Sequence, residues 1–273
     1  MKHRGVGLNI HFIAGLPRSG STLLAAILRQ NPRFIAGVQS SLHASVAALM
    51  HSMSVQTDSA LFLTDGQRRR AISALFAAFY DEANHAVIFD SNRGWPALIG
   101  QIGDLFPRAR ILCCLRNPAW ILDSIEVQVQ RNMWQASRMF GTQVGGNVYT
   151  RVEQLANTHL LGPSLRIMRQ AWFGNDAHRM VAVRYESLSE RPRETVDAIY
   201  RLIGEEPFEH DFESVSYDVP EYDRWLGMPG FHSVRPRVQP CTRTTILPPD
   251  IFSAYDECFW ELPGQNPKGI VII

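Results

Sequence analysis

One stretch constrains this chain more than any other: FIAGLPRSGSTLLAAIL, beginning at Phe12. Ile10 to Ala14 is a short, mostly apolar run closed by Gly15 and Pro17, which reads as a buried strand entering a tight turn. Ser21 to Gln30 then has an apolar helical face and stops before Asn31-Pro32. Gly15 to Thr22 nearly spells the phosphate-loop pattern G-x-x-x-x-G-K-[ST], with Ser21 in place of the lysine. A strand, a glycine turn and a helix in this order commit the chain to an α/β architecture.

Further strands are expected at Val87–Phe89 ending on Asp90, at Arg110–Leu115 ending on Arg116, and at Met180–Val183 ending on Arg184. Helical patterns cover Leu42–Met53 and Gly66–Asn84, with Arg68, Arg69 and Arg70 read as a solvated helix start. Short apolar strands alternating with helices predict a three-layer α/β fold of the P-loop type, a central parallel sheet flanked by helices. Ligands of such sheets sit beyond the carboxyl ends of the strands. Polar residues stand at each of those ends here.

The 273 residues are read as one domain, a core of about 10–208 with an irregular tail, 209–273, laid over it. One helix is expected in the tail, near Pro249–Phe259. Residues 131–150, containing GTQVGGN, are the candidate lid. The formal net charge of +1 argues against a nucleic-acid partner. The four cysteines lack zinc-ligand spacing and read as buried thiols. No signal peptide and no membrane span is read, so the expected location is cytoplasmic. Oligomeric state is not legible.

Backbone N–H groups of a glycine turn opening a helix make an anion site without side-chain charge. Arg18 adds a cation to this loop; Ser19, Ser21 and Thr22 add hydroxyls, and Pro17 and Gly20 shape the turn. A second motif is ILCCLRNPAWILDSIE, in which Asn117 and Pro118 suit the N-cap and first position of a helix. Arg116 and Ser124 either converge on a second phosphate or are an arginine packed at a strand end and a solvent-facing serine.

Together these motifs resemble the sulfotransferase family. LPRSGSTLL is similar to its 5′-phosphosulfate loop, and Arg116 with Ser124 to its 3′-phosphate segment. VAVRYESLSERPRETVDAIYRLIGEEPF is similar to its later strand and helix, with Tyr185 beside the donor. The Pro-Arg-Ser-Gly-Ser-Thr form is closer to the protein-tyrosine sulfotransferases and their bacterial relatives than to the small-molecule enzymes. The resemblance implies a transferase moving a sulfuryl group from 3′-phosphoadenosine 5′-phosphosulfate to a hydroxyl of a tyrosine, a carbohydrate or a small molecule, with no metal. It puts Arg18 near the bridging oxygen of the donor. A kinase or nucleotide hydrolase, or a non-catalytic nucleotide-binding relative, are the alternatives.

The family's acceptor base is where the sequence departs. AGVQSSLHA places Gln39 at the position of the family glutamate, and glutamine cannot accept a proton as a carboxylate does. The remaining catalytic candidates are Asp90, His43 and Arg93, the last for the sulfuryl oxygens. His232, beside Arg235 and Arg237, belongs to a basic tail loop that could fold over the nucleotide. Trp95, Trp120 and Trp172 read as core.

Overall fold

The computed structural model describes residues 8–54, 58–81, 86–135, 137–140, 146–157, 160–262, 264 and 269–273. The opening run forms β1 (Asn9–Gly15) and leads into α1 (Ser21–Leu28). Next come β2 (Phe34–Ala36), α2 (Leu42–Ser52), α3 (Asp65–Phe79), β3 (Val87–Ser91), α4 (Ile99–Leu105), β4 (Ile111–Leu115) and α5 (Pro118–Arg131). They are followed by α6 (Val148–Asn157), α7 (Leu161–Trp172), β5 (Met180–Arg184), α8 (Tyr185–Glu190) and α9 (Pro192–Ile203). The tail adds α10 (Pro220–Leu226), α11 (Pro249–Tyr255) and β6 (Val271–Ile272).

The six strands pair in parallel in the order β2-β3-β1-β4-β5-β6. β1 is interior, so both its faces must be apolar. Ile10, Phe12 and Ala14 join a cluster with α2 to α7, while Ile13 packs on the opposite face with α1 and α9. That is the expected three-layer arrangement. After β1 the chain runs out to the edge strand β2, returns to β3 beside β1, and then crosses to β4 on the other side. The carboxyl end of β1 is therefore the switch point of the sheet, where a crevice opens.

Several expectations are corrected. β2 was not anticipated, being only three residues long. α3 starts at Asp65, because Thr64 and Gln67 form a reciprocal capping box, and it ends at Phe79; residues 82–85 of the expected helix lie outside the described residues. Arg68 is only partly solvated: it donates to the carbonyls of Met53, Leu63 and Ala60 and braces the turn before α3. β3 runs through Asp90 to Ser91, since Phe12 and Ile13 of β1 pair with both.

The tail is woven into the core. Val215 and Val238 pack on one face of the sheet, Phe231, Leu247, Ile251, Phe259, Trp260 and Ile270 on the other, and β6 becomes the sixth strand. A buried latch holds it. Asp123 of α5, fully buried, accepts from Thr245 Oγ1 at 2.9 Å and from the Ile246 N–H at 2.8 Å, and pairs with Arg243. Of the candidate lid, residues 136 and 141–145 lie outside the described residues. Met139 and Phe140 are core, and Ser137 and Arg138 donate to the Leu226 and Trp225 carbonyls of α10. Among the described residues no helix is long and apolar enough to cross a membrane.

Candidate functional site

The loop after β1 turns on two glycines. Gly15 has φ +129°, and a Cβ there would sit 2.1 Å from the Cys114 carbonyl oxygen of β4. Gly20, at φ +95°, is the N-cap of α1. Between them Arg18 has φ +55°, the left-handed region that non-glycine residues rarely occupy. Such strain at a turn aims the side chain. The N–H groups of the first turn of α1 have no carbonyl of their own helix to bond. The Ser21 and Thr22 hydroxyls have no hydrogen-bond partner among the described residues and line the crevice. The Ser19 hydroxyl does not: it is buried and donates to the Leu16 carbonyl, bracing the loop from inside.

The crevice is a cavity of about 300 Å³. It is lined by Arg18, Arg93, Arg116 and Arg131 from the core and by Arg235, Arg237 and Arg243 from the tail, and, among the described residues, by no aspartate or glutamate. Arg237 pairs with Glu213 and Arg243 with Asp123; the other five have no ion pair among the described residues. Burial lowers the pKa of Arg18 to about 10, with neighbouring Arg116 adding to the shift. Burial also lowers those of Arg93 and Arg116. A cluster of cations held partly out of water, five of the seven without an ion pair among the described residues, is short of anions, which a ligand would supply.

Asn117 caps α5 as expected, accepting from the Ala119 N–H at 2.9 Å, and Pro118 is the first helical residue. That fixes Arg116 at the end of β4 and Ser124 on the buried face of α5. Arg116 lies 4.2 Å over the Tyr185 ring and donates to the Arg18 carbonyl at 3.2 Å. Its Nε is buried with no hydrogen-bond partner among the described residues. Arg18 Nε donates to Ser124 Oγ at 3.2 Å. Its NH1 donates to the Phe231 carbonyl, with the guanidinium 4.8 Å over the Phe231 ring. The structure thus brings Pro17, Arg18, Gly20, Ser21, Thr22, Arg93, Arg116, Ser124 and Tyr185 to one cavity.

It does not bring Asp90 or His43 there. Asp90 accepts from Ser40 Oγ at 2.6 Å, Tyr80 Oη at 2.6 Å and Trp95 Nε1 at 2.7 Å, and is buried under the sheet end. Neither Asp90 nor any of its three donors lines the cavity. His43 packs against the Gly94 backbone, where a Cβ would fall 2.3 Å from its ring, and edge-on to Trp95. It supports the loop that carries Arg93.

Sequence reasoning missed a pair in the tail. His232 Nδ1 lies 2.6 Å from Asp223 Oδ1, and the His232 N–H donates to Asp223 Oδ2 at 2.9 Å. Asp223, on α10, is 1% exposed. His232 lines the cavity; burial lowers its pKa, Asp223 opposes the shift, and Arg18 and Arg93 add to it. Gln39 also lines the cavity and accepts from Tyr222 Oη at 3.0 Å. The only signal in the sequence was the basic loop around His232; Asp223 gave none.

The chain is 26% identical over 217 residues to the nodulation protein NoeE of Sinorhizobium fredii (strain NBRC 101917 / NGR234), a match covering 72% of this chain and 50% of that protein. The chain therefore spans about half the length of that curated relative. Two solved structures show a looser likeness. The sulfotransferase domain from the curacin biosynthetic pathway is 17% identical, with a TM-score of 0.48 over 75% of this chain and 76% of that one. The sulfotransferase domain of the Synechococcus PCC 7002 olefin synthase is 19% identical, with a TM-score of 0.47 over 85% and 91%. The sequence model of the Sulfotransferase family matches residues 11–210, from the middle of β1 to beyond α9 and well over half of the chain. The chain belongs to the sulfotransferase family.

Proposed function

We propose that the protein transfers a sulfuryl group from 3′-phosphoadenosine 5′-phosphosulfate to an acceptor hydroxyl. The observation that carries this is the cavity lined, among the described residues, by seven arginines and no carboxylate, opening on a phosphate-type loop that lacks the lysine. Such a cavity suits a donor with anionic groups at both ends and no γ-phosphate.

The residues present fit that donor. The loop N–H groups with Ser21 and Thr22 would hold the 5′ anion. Arg18, beside them, would stabilise negative charge growing on the leaving phosphate, where a charge-assisted contact in a water-poor site counts most. Arg116 and Ser124 would hold the 3′-phosphate, and the unpartnered Arg116 Nε is a buried donor that needs such an acceptor. Tyr185, under Arg116, fixes its guanidinium plane. Arg93, from the loop after β3, lines the same cavity and would meet the sulfuryl oxygens. The bound donor supplies an activated sulfuryl group; the chain supplies position and charge.

Calorimetric titration with 3′,5′-adenosine bisphosphate, run beside ATP with magnesium, tests this reading. Micromolar binding of the bisphosphate and little of ATP is expected. The reverse would mark a nucleoside-triphosphate site and end the assignment.

A further inference from the structure

Activating an acceptor hydroxyl requires a group that removes its proton. The position expected to supply it holds Gln39, and Asp90 and His43 are engaged elsewhere. We propose that His232 and Asp223 do this work as a pair: Asp223 holds the imidazole as its Nδ1–H tautomer, and Nε2 takes the acceptor proton. This rests on the sulfuryl-transfer reading.

Three observations carry it. Asp223 accepts from both the backbone N–H and the ring Nδ1 of His232, so two short bonds fix ring position and tautomer together. Nε2 has no hydrogen-bond partner among the described residues, and the ring lines the cavity. Finally, Tyr222, the residue before Asp223, donates to Gln39. The helix carrying Asp223 is thus anchored to the residue that stands where a glutamate was expected.

The groups facing the imidazole are Asp223 and Tyr222 from α10, Arg18 from the loop after β1, and Arg93 from the loop after β3. Burial and the two arginines push the His232 pKa below its ordinary value, so the ring is neutral near pH 7. A neutral imidazole with a fixed Nδ1–H is a competent base. In the step, the acceptor oxygen forms its bond to sulfur as its proton passes to Nε2. The bond between sulfur and the bridging oxygen breaks, and its electron pair leaves with the 5′-phosphate. The imidazolium, held by Asp223, then returns the proton to water. The products are a sulfate ester, 3′,5′-adenosine bisphosphate and one proton. His232 is the catalytic residue and Asp223 a positioning residue.

Two measurements on the full chain test the pair. The first is ¹⁵N NMR of histidine-labelled protein near neutral pH. A neutral Nδ1–H tautomer is expected for His232, moving toward Nε2–H in D223N. An Nε2–H tautomer in the unmodified protein, or an imidazolium persisting above neutrality, overturns the proposal. The second is sulfuryl transfer to phenols of graded acidity, from 4-nitrophenol to 4-methylphenol. H232Q should lose roughly 10²–10⁴-fold in kcat on the weakly acidic phenols. It should lose little on 4-nitrophenol, which ionises without help. D223N should lower kcat with KM unchanged and move the acid limb of the rate profile to lower pH, because the imidazolium loses its partner. An equal loss on every phenol overturns the proposal. If no phenol is turned over, the NMR result decides alone. Bisphosphate binding by each variant separates the two readings: retained binding with lost transfer supports the pair, whereas binding absent from the unmodified protein is a failure of the donor assignment.

Discussion

Arg18 combines a left-handed backbone, a buried guanidinium and no ion pair among the described residues, a combination that is costly unless an anion arrives. Arg116 shares the burial and the missing partner. Arg18→Ala and Arg116→Ala should therefore each weaken binding of 3′,5′-adenosine bisphosphate. A lost charged hydrogen bond costs ~1.5–3 kcal/mol, or roughly 10- to 100-fold in affinity. Arg116→Ala should also narrow the preference for the bisphosphate over 5′-AMP. Calorimetry checks both, and an unchanged preference would remove Arg116 from the 3′ end. These two residues were legible in the sequence because each sits in a contiguous motif whose local geometry aims it. Asp90 was misread for a related reason. Its run of apolar neighbours showed the strand, but not that pairing with β1 continues one residue further and buries the carboxylate beneath Trp95.

At the scale of elements, α5 joins the two halves of the site. Its N-cap sets Arg116, its buried face sets Ser124, and Asp123 latches residues 243–246 of the tail. Replacing Asp123 with alanine leaves Arg243, the Thr245 hydroxyl and the Ile246 N–H without their acceptor. Breaking a buried pair from one side costs ~3–5 kcal/mol. Asp123→Ala should lower the urea midpoint accordingly, hasten proteolysis around residues 235–247, and weaken bisphosphate binding through misplacement of Arg243. Unfolding at the unmodified midpoint would show that the latch does not hold the tail. α5 itself was readable from Asn117-Pro118, whereas the latch was not. A buried aspartate inside a helix looks like any polar residue until its partners, more than a hundred positions away, fold onto it. The Asp223–His232 pair was hidden in the same way: one residue lies inside a short helix, the other in a loop, and nothing periodic links them.

Across the whole molecule, the central strand has one titratable weak point. His11 of β1 is 2% exposed, accepts from the Arg110 N–H through Nδ1, and has a buried Nε2 with no hydrogen-bond partner among the described residues. Burial, with Arg110 and Arg108 nearby, lowers its pKa from 6.5 to about 4. Above pH 6.5 both folded and unfolded chains hold it neutral, and stability is full. As pH falls from 6.5 toward 4 the unfolded chain takes up the proton and the folded one does not. The loss reaches roughly 2.5 kcal/mol near pH 4.5 and levels off below the folded pKa. Urea unfolding of the unmodified protein and of His11→Phe at about pH 7.5 and 4.5 checks this. The variant should lose less stability between the two, by about that amount. Equal losses would mean that His11 is protonated in the fold. The sheet around it was broadly legible, because alternating apolar strands and helices leave few other topologies. Its sixth strand was not, since two residues at the far end of an irregular tail give no pattern.

The contact between Arg18 and the Phe231 carbonyl spans 213 positions of the chain. The two sides of the site are therefore separated in time as well as in sequence. During synthesis the anion loop can fold onto its own strand long before the tail exists. Only after the tail has emerged and settled does the loop gain its cover, three of the arginines that line it, and His232. Loop closure over such a span costs little more free energy than over a shorter one, but contacts this distant form late. A chain caught before that step holds the grip of an enzyme without its closing hand.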